Sequence, residues 1–253
     1  MTTKVLVHGV PETSAIWEPM LGELAALGHR DVISLSPPGF GAPLPADFVP
    51  DLDGYRDWLA GELARIGTPV DLVGHDFSGG HTINVAMTQP DLLRSWVTDV
   101  IGTLEPDYVW HPQAQTWQTP EAGEADIAQF VGAPVAGRAA AMVQWGIPGP
   151  VAGKVAAEQN EAMGRAILSL YRSAAQPVVA ELGRQLPAAA ARPGLALLAT
   201  EDDAVGSTEQ RQRAAARAGA HTAALNGLGH WWMLQDPARS ARVLADFWAS
   251  LPA

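Results

Sequence analysis

The sequence predicts an α/β fold, a mostly parallel sheet flanked by helices with a helical lid inserted between two parts of the core. Three observations predict it. Short aliphatic runs alternate with amphipathic stretches through the first hundred residues, the alternation stops after Gly102, and it resumes at Leu195. Consecutive parallel strands need crossover connections, and helices supply these while covering both faces of the sheet.

Lys4–Val7 is a short strand ending at His8-Gly9, and Trp17, Met20, Leu21, Leu24 and Leu27 recur at helical spacing over residues 16–27. Val32–Leu35 repeats the strand signal and breaks at Ser36-Pro37-Pro38-Gly39-Phe40-Gly41; Leu52–Ile66 is amphipathic, with Tyr55, Leu59 and Leu63 on one side. Residues 70–73 form a third strand that turns through 74–80 into a helix ending before Pro90, and 95–101 a fourth strand. From 104 to 192 the Ala-, Gly- and Pro-rich chain shows no strand, only helical patches at 126–130, 135–145 and 160–175, and 187–191 reads as a linker or helix end. A strand at 195–200, a helix at 208–218, the strand His221–Leu225 and a helix at 236–251 complete the pattern. The expected division is therefore core 1–103, lid 104–192 and core 193–253. Ligands of open parallel sheets bind at the strand ends, where a lid would cover them.

Composition narrows the function. Without cysteine, disulfide scaffolds, thiolate zinc sites and cysteine nucleophiles are excluded. The net charge of −11 argues against nucleic acid and anionic membrane surfaces as partners. Apolar residues make up 47% and charged residues 17%, a globular composition, and no apolar run approaches bilayer length. Val5, Leu6 and Val7 before His8 are too few for a signal-peptide core, so a cytoplasmic protein is expected, and a homo-oligomer is compatible with this reading.

The chemistry concentrates in Val70-Asp71-Leu72-Val73-Gly74-His75-Asp76-Phe77-Ser78-Gly79-Gly80. A strand running through small residues directly into a helix is a nucleophile elbow, and its central residue is Asp76. A register centred on Ser78 would need a small residue at position 76; a plain helix N-cap is the other use for an Asp here. Downstream, the strand at 195–199 ends in Thr200-Glu201-Asp202-Asp203, and His221–Leu225 is followed by Asn226-Gly227-Leu228-Gly229-His230. Nucleophile, acid and histidine thus stand in the order of a hydrolytic triad, with Asp203 preferred to Asp202 as the acid on its distance from the strand end. A structural role for His230 beside Trp231 and Trp232 is the alternative. His75 and His81 read as scaffold, and no metal constellation or nucleotide-binding glycine fingerprint is present.

His8-Gly9-Val10-Pro11, the segment Gly74 to Gly80, Thr200-Glu201-Asp202-Asp203 and Gly229-His230-Trp231 with Asp236-Pro237 together resemble the α/β-hydrolase-fold epoxide hydrolases and their relatives, the haloalkane dehalogenases. The resemblance covers nearly all of the core and only parts of the lid. Two departures stand out: the strand before His8 comes first, where the family has further leading strands, and Ser36 stands where an acid commonly precedes the Pro-Gly-x-Gly loop.

The resemblance implies a reaction without cofactor or metal, between a small apolar electrophile and water. Asp76 would attack an sp³ carbon to form an alkyl ester, His230 would activate water, Asp203 would orient His230, and the N–H groups of Val10 and Phe77 would form the oxyanion hole. A dehalogenase commonly draws halide donors from the places held here by Phe77 and Val10, and the fluoroacetate-type Arg behind the nucleophile is missing. An epoxide hydrolase needs a lid acid, and Tyr171-Arg172 is similar to the family's second lid tyrosine. The first has no match near 116–120; Tyr108 and His111 are the substitutes, and with Trp117 and Trp231 they are expected to line the substrate pocket. The reading is an epoxide hydrolase giving vicinal diols, with a haloalkane dehalogenase next and a non-hydrolytic relative (ligand-binding protein, lyase or cyclase) after it.

Overall fold

The computed structural model describes residues 2–252. Its strands are β1 (Lys4–Val7), β2 (Val32–Leu35), β3 (Val70–Gly74), β4 (Leu93–Thr98), β5 (Gly194–Ala199) and β6 (His221–Leu225). They form one six-stranded sheet in the order β2-β1-β3-β4-β5-β6, and each neighbouring pair is parallel. Alternation along the strands separates two cores. Val5, Val7, Val70, Leu72 and Trp96 face one side, with residues of α2 (Leu52–Ile66), α3 (Phe77–Thr88) and α10 (Thr208–Arg217). Leu6, Val73, Val97, Leu195 and Leu197 face the other, with α1 (Glu18–Ala26), α11 (Trp232–Gln235) and α12 (Pro237–Ser250).

Between β4 and β5 lie α4 (Pro112–Gln118), α5 (Ala122–Gly132), α6 (Val135–Gln144), α7 (Gly149–Glu158), α8 (Glu161–Ser173) and α9 (Val178–Gly183). The central α8 starts at Asn160, whose side chain accepts from the amides of Ala162 and Met163, and it buries Met163, Ile167, Leu170 and Tyr171. Residues of α4, α5 and α8 join the first core, and residues of α6 and α7 the second, so the insertion grips both sides of the molecule. Among the described residues no helix is long and apolar enough to cross a membrane.

Two sequence expectations shift for identifiable reasons. The fourth strand ends at Thr98 instead of 101, because Asp99 leaves the ladder to bind side chains and backbone of the β3 turn. The expected linker at 187–191 belongs to a 3₁₀ helix, Leu186–Ala191, fixed where the buried Trp96 indole N–H reaches the carbonyls of Ala189 (3.1 Å) and Arg192 (3.2 Å).

Gly74 marks where sheet and helix approach most closely, since a Cβ there would overlap the Ser78 carbonyl and the Thr82 hydroxyl. Gly74→Ala should destabilise the protein by about 1–3 kcal/mol, the usual cost of overpacking, as measured by denaturant unfolding.

Candidate active site

The turn after β3 holds Asp76 at φ 51°, ψ −130°. Its side chain makes no capping bond to α3; Oδ1 instead accepts the Val10 N–H at 2.9 Å. The backbone is pinned on both sides: Asp76 N–H donates to Asp99 Oδ1 (3.0 Å), and its carbonyl accepts from Gly79 (2.8 Å) and Gly80 (3.2 Å). The Ser78 hydroxyl donates to the His8 carbonyl, so it ties the loop after β1 to α3 and does not face the position a nucleophile needs. Phe77 opens α3, where the first N–H groups have no intrahelical acceptor. Gly9 must lack a side chain because a Cβ would run into that of Asp76.

The acid beside the histidine is Asp202, not Asp203. His230 Nδ1 donates to Asp202 Oδ2 at 2.8 Å, and Asp202 is buried, whereas Asp203 is exposed at the cavity rim. The chain turns one residue earlier than its distance from the strand suggests: Asp202 N–H returns to the Ala199 carbonyl, and Glu201 N–H binds the Leu228 carbonyl. Asp202 is thereby directed at the loop carrying His230, and Asp202 Oδ1 also accepts the Ala204 N–H at 3.0 Å. With Nδ1 donating, His230 Nε2 faces Asp76, 3.8 Å from Oδ2.

Burial disfavours charge on His230, but the Asp202 carboxylate and its hydrogen bond outweigh burial and push the imidazole up to about 9. Asp202 is drawn below its ordinary range, against burial, by the charge of His230. Burial lifts Asp76 above the ordinary carboxylate range, while His230 and His75 oppose that rise.

A second buried charge group lies behind Asp76 and was not apparent in the sequence. His75 Nδ1 donates to Asp99 Oδ2, His75 Nε2 is 3.3 Å from Glu12 Oε1, and Trp232 Nε1 donates to Asp99 at 2.7 Å. Glu12 also accepts from Gly9 N–H (3.2 Å) and from the Trp231 indole. Although burial opposes charge on each, the Asp99 and Glu12 carboxylates hold His75 well above the ordinary imidazole range, and His75 brings Glu12 down to about 2. The available signals were a carboxylate closing an apolar strand, Asp99, and one directly after His-Gly-x-Pro, Glu12. Glu12, His75 and His230 offer ligand atoms within 4.8 Å of one another, but His75 is already engaged with Glu12 and Asp99 and His230 with Asp202.

Above Asp76 opens a cavity of about 650 Å³ that reaches from the strand ends to the insertion. Tyr171 lines it, its ring edge-on to Phe77 and to Trp117 at 4.7 Å. Burial, followed by the charge of Asp76, raises the Tyr171 phenol well above its ordinary range, so it stays protonated. Tyr108 also lines the cavity, but its hydroxyl donates to the Ala204 carbonyl at 2.6 Å, steadying the turn that carries Asp202. His111 lines it while Nδ1 caps α4 by accepting the Ala114 N–H at 3.3 Å; burial, and then His230, lowers its basicity. Trp117 and Trp231 contribute walls, their indole N–H groups turned to Asp126 (2.7 Å) and Glu12. Trp110 is occupied in the same way by the Ala174 carbonyl at 3.2 Å.

The sequence profile of the alpha/beta hydrolase family matches residues 5–243. The chain belongs to this family. A stretch of 97 residues is 34% identical to an epoxide hydrolase of Caballeronia sordidicola; it covers 35% of this chain and 27% of that relative, so the match spans about a quarter of the curated protein. Among solved structures this alpha/beta hydrolase is similar to a loop variant of the haloalkane dehalogenase DbeA from Bradyrhizobium elkanii (TM-score 0.71, 20% identity, 98% of this chain and 91% of that one). It is also similar to a thermophilic esterase from Thermogutta terrifontis (0.73, 18%, 100% and 91%) and to E-2-(acetamidomethylene)succinate hydrolase (0.74, 16%, 98% and 92%). At these identities the likeness shows the fold alone.

The geometry reverses the expected ranking of the two acids. Asp202→Asn should slow turnover by about 10⁴-fold, the scale of losing the orienting acid in a serine triad, and Asp203→Asn should have little effect, both read from steady-state kinetics. The same substitution should move His230 from about 9 toward the ordinary 6.5 in a nuclear magnetic resonance titration. Because the folded-state value is raised, the His230 charge supports the fold fully below pH 6.5 and that support is lost as pH rises through about 9. Thermal stability of the wild type should accordingly fall over this interval more than that of His230→Ala.

Proposed function

We propose that this alpha/beta hydrolase opens epoxides to vicinal diols through an alkyl ester on Asp76. The observation that carries the reading is a carboxylate at the strained elbow, with one oxygen on the Val10 N–H and the other facing His230, beneath a protonated phenol in the same cavity. A carboxylate can displace at an sp³ carbon without a base and leave an ester that water can cleave; a serine would leave an ether there. Residues 104–192 then act as a lid, and the aromatic walls suit a small apolar electrophile. The cysteine-free, acidic composition supports a cytoplasmic site of action.

In the first step an Asp76 oxygen attacks a ring carbon, the carbon–oxygen bond of the ring breaks, and the released alkoxide takes the Tyr171 proton. An alkoxide is a far stronger base than a phenolate, so Tyr171 can donate even with its phenol raised. Esterification removes the Asp76 charge, one of the charges holding a proton on His230, so that His230 gives its Nε2 proton to solvent and becomes basic; it takes a proton back from solvent when the Asp76 carboxylate is restored. Water then attacks the Asp76 carboxyl carbon and gives a proton to His230 Nε2, and the oxyanion rests on the N–H groups of Val10 and Phe77. Collapse breaks the ester, the leaving diol oxygen takes the proton from His230, and the Asp76 acid returns a proton to the Tyr171 phenolate.

Dehalogenation would share the nucleophile but needs donors for a departing halide. Of the four indoles that line the cavity, those of Trp110, Trp117 and Trp231 are turned to protein acceptors, which favours the epoxide.

In His230→Ala, intact mass spectrometry with styrene oxide should show protein plus one substrate mass at Asp76, and this adduct should vanish when Asp76→Asn is added. An adduct on any other residue would falsify the mechanism. Tyr171→Phe should slow formation of the ester by about 10²-fold in rapid-quench measurements while cleavage of the ester, once formed, is nearly unchanged. Turnover of bromoalkanes without turnover of epoxides would establish the dehalogenase reading instead.

A further inference from the structure

The insertion contributes a side chain to the loop that carries Val10. Gln159 follows α7, is buried, and donates from Nε2 to the Pro11 carbonyl at 3.0 Å. Its own backbone carbonyl accepts from Arg138 Nη2 at 3.2 Å. The buried Arg138 guanidinium also binds the carbonyls of Val131 and Ala133 at the end of α5 and of Ala156 at the end of α7. A cation among the last carbonyls of two helices is in its favoured place, so Gln159 projects from a fixed frame. On the other side of the loop, Ser78 Oγ donates to the His8 carbonyl and Gly9 N–H binds Glu12 Oε2. Val10 sits between these attachments, with its N–H on Asp76 Oδ1.

Gln159 Oε1 is buried with no hydrogen-bond partner. An unmatched buried acceptor is destabilising, and an apolar side chain of similar size would fill the same space without it. Beyond a 3.9 Å contact with Met142 Sδ, what the amide adds at this place is the N–H on Pro11.

We propose that Gln159 is a positioning residue that aligns the Val10 N–H as an oxyanion donor, with Arg138 as the clasp that fixes it. The proposal rests on the Asp76-ester reading and separates the two chemical steps. During ester formation charge leaves the Asp76 carboxylate, and a looser Val10 N–H costs little. During ester cleavage charge builds on the Asp76 carbonyl oxygen, where the direction of that N–H matters most.

Gln159→Met, which keeps the length and loses the donor, should therefore slow cleavage by about tenfold or more, part of the roughly 10²–10³ that follows complete loss of an oxyanion donor. Ester formation should stay within about threefold of the wild type. The Asp76 adduct should accumulate during turnover, and kcat and KM should fall together because the second step becomes limiting. The experiment is rapid quench with styrene oxide, with intact mass as readout, on wild type and variant in parallel. If Gln159→Met does not fold, Gln159→Asn, which keeps the amide one methylene short of Pro11, is measured in its place. Equal slowing of both steps, or slowing of neither, in a variant beside a wild type that does form the adduct overturns the proposal and leaves the ester mechanism standing. A wild type that forms no Asp76 adduct overturns both.

Discussion

A backbone at φ 51° is unfavourable for a residue bearing a Cβ, and at Asp76 it persists because contacts from three different elements hold it. Asp99 at the end of β4 takes its N–H, the first turn of α3 takes its carbonyl, and Val10 after β1 takes its side chain. The sheet order explains why these meet. β3 lies between β1 and β4, so the loops leaving both neighbours converge on the turn that β3 enters, and Gly9 and Gly74 remove the side chains that would keep them apart. The strained turn presents the carboxylate at the C-terminal end of the central strand β3, and the rest of the site is arranged around it.

Placing a carboxylate there creates an electrostatic problem that the surrounding charges resolve. Glu12, Asp76, Asp99 and Asp202 surround His75 and His230, whose rings lie 4.7 Å apart. A buried charge is tolerable only when paired and hydrogen-bonded, and each acid here has an imidazole within reach. The two histidines have different surroundings. His75 is fixed between Glu12 and Asp99 and is not among the residues that line the cavity, so it serves as a standing positive charge behind Asp76; His230 reaches the cavity and shares its charge between Asp202 and Asp76. On the Asp76-ester reading we propose, both histidines feel the loss of the Asp76 charge, and His230, whose Nε2 faces Asp76, is the one that can exchange a proton in the cavity. Its proton affinity is thus coupled to the progress of the reaction, and that of His75 is held by acids outside it.

The sheet was legible because parallel strands covered on both faces are continuous aliphatic runs, as in Leu195 to Ala199, and the elbow because small residues around a strand-to-helix turn have few other uses. Asp202 and Asp203 illustrate the limit. They are chemically the same and adjacent, and which one faces His230 depends on a reverse turn closed by Ala199 and Leu228, a partner from a different part of the chain. Glu12 and Asp99 were missed for a related reason: their role appears only when two loops 87 residues apart in number meet at His75. In the insertion, helical periodicity located α8 and therefore Tyr171, but the clasp between Arg138 and Gln159 has no local pattern, because its acceptors are backbone carbonyls that any sequence supplies.

On the Asp76-ester reading we propose, one elbow would serve an epoxide or a halide alike, so the discrimination would come from the other groups that line the cavity. A halide leaves as an anion and is best received by N–H donors that remain free. An epoxide oxygen stays attached to the product and needs a proton. Three of the four indoles at the cavity, those of Trp110, Trp117 and Trp231, turn their N–H groups into protein, and burial and the charge of Asp76 keep the Tyr171 phenol protonated. Such a wall receives a neutral hydroxyl better than a free anion, particularly with Glu201, Asp202 and Asp203 also at the cavity and no Lys or Arg among its lining residues. The negative charge that would repel a departing halide costs little when the leaving oxygen is protonated as it forms, and this difference ties the choice of leaving group to the charge of the whole site.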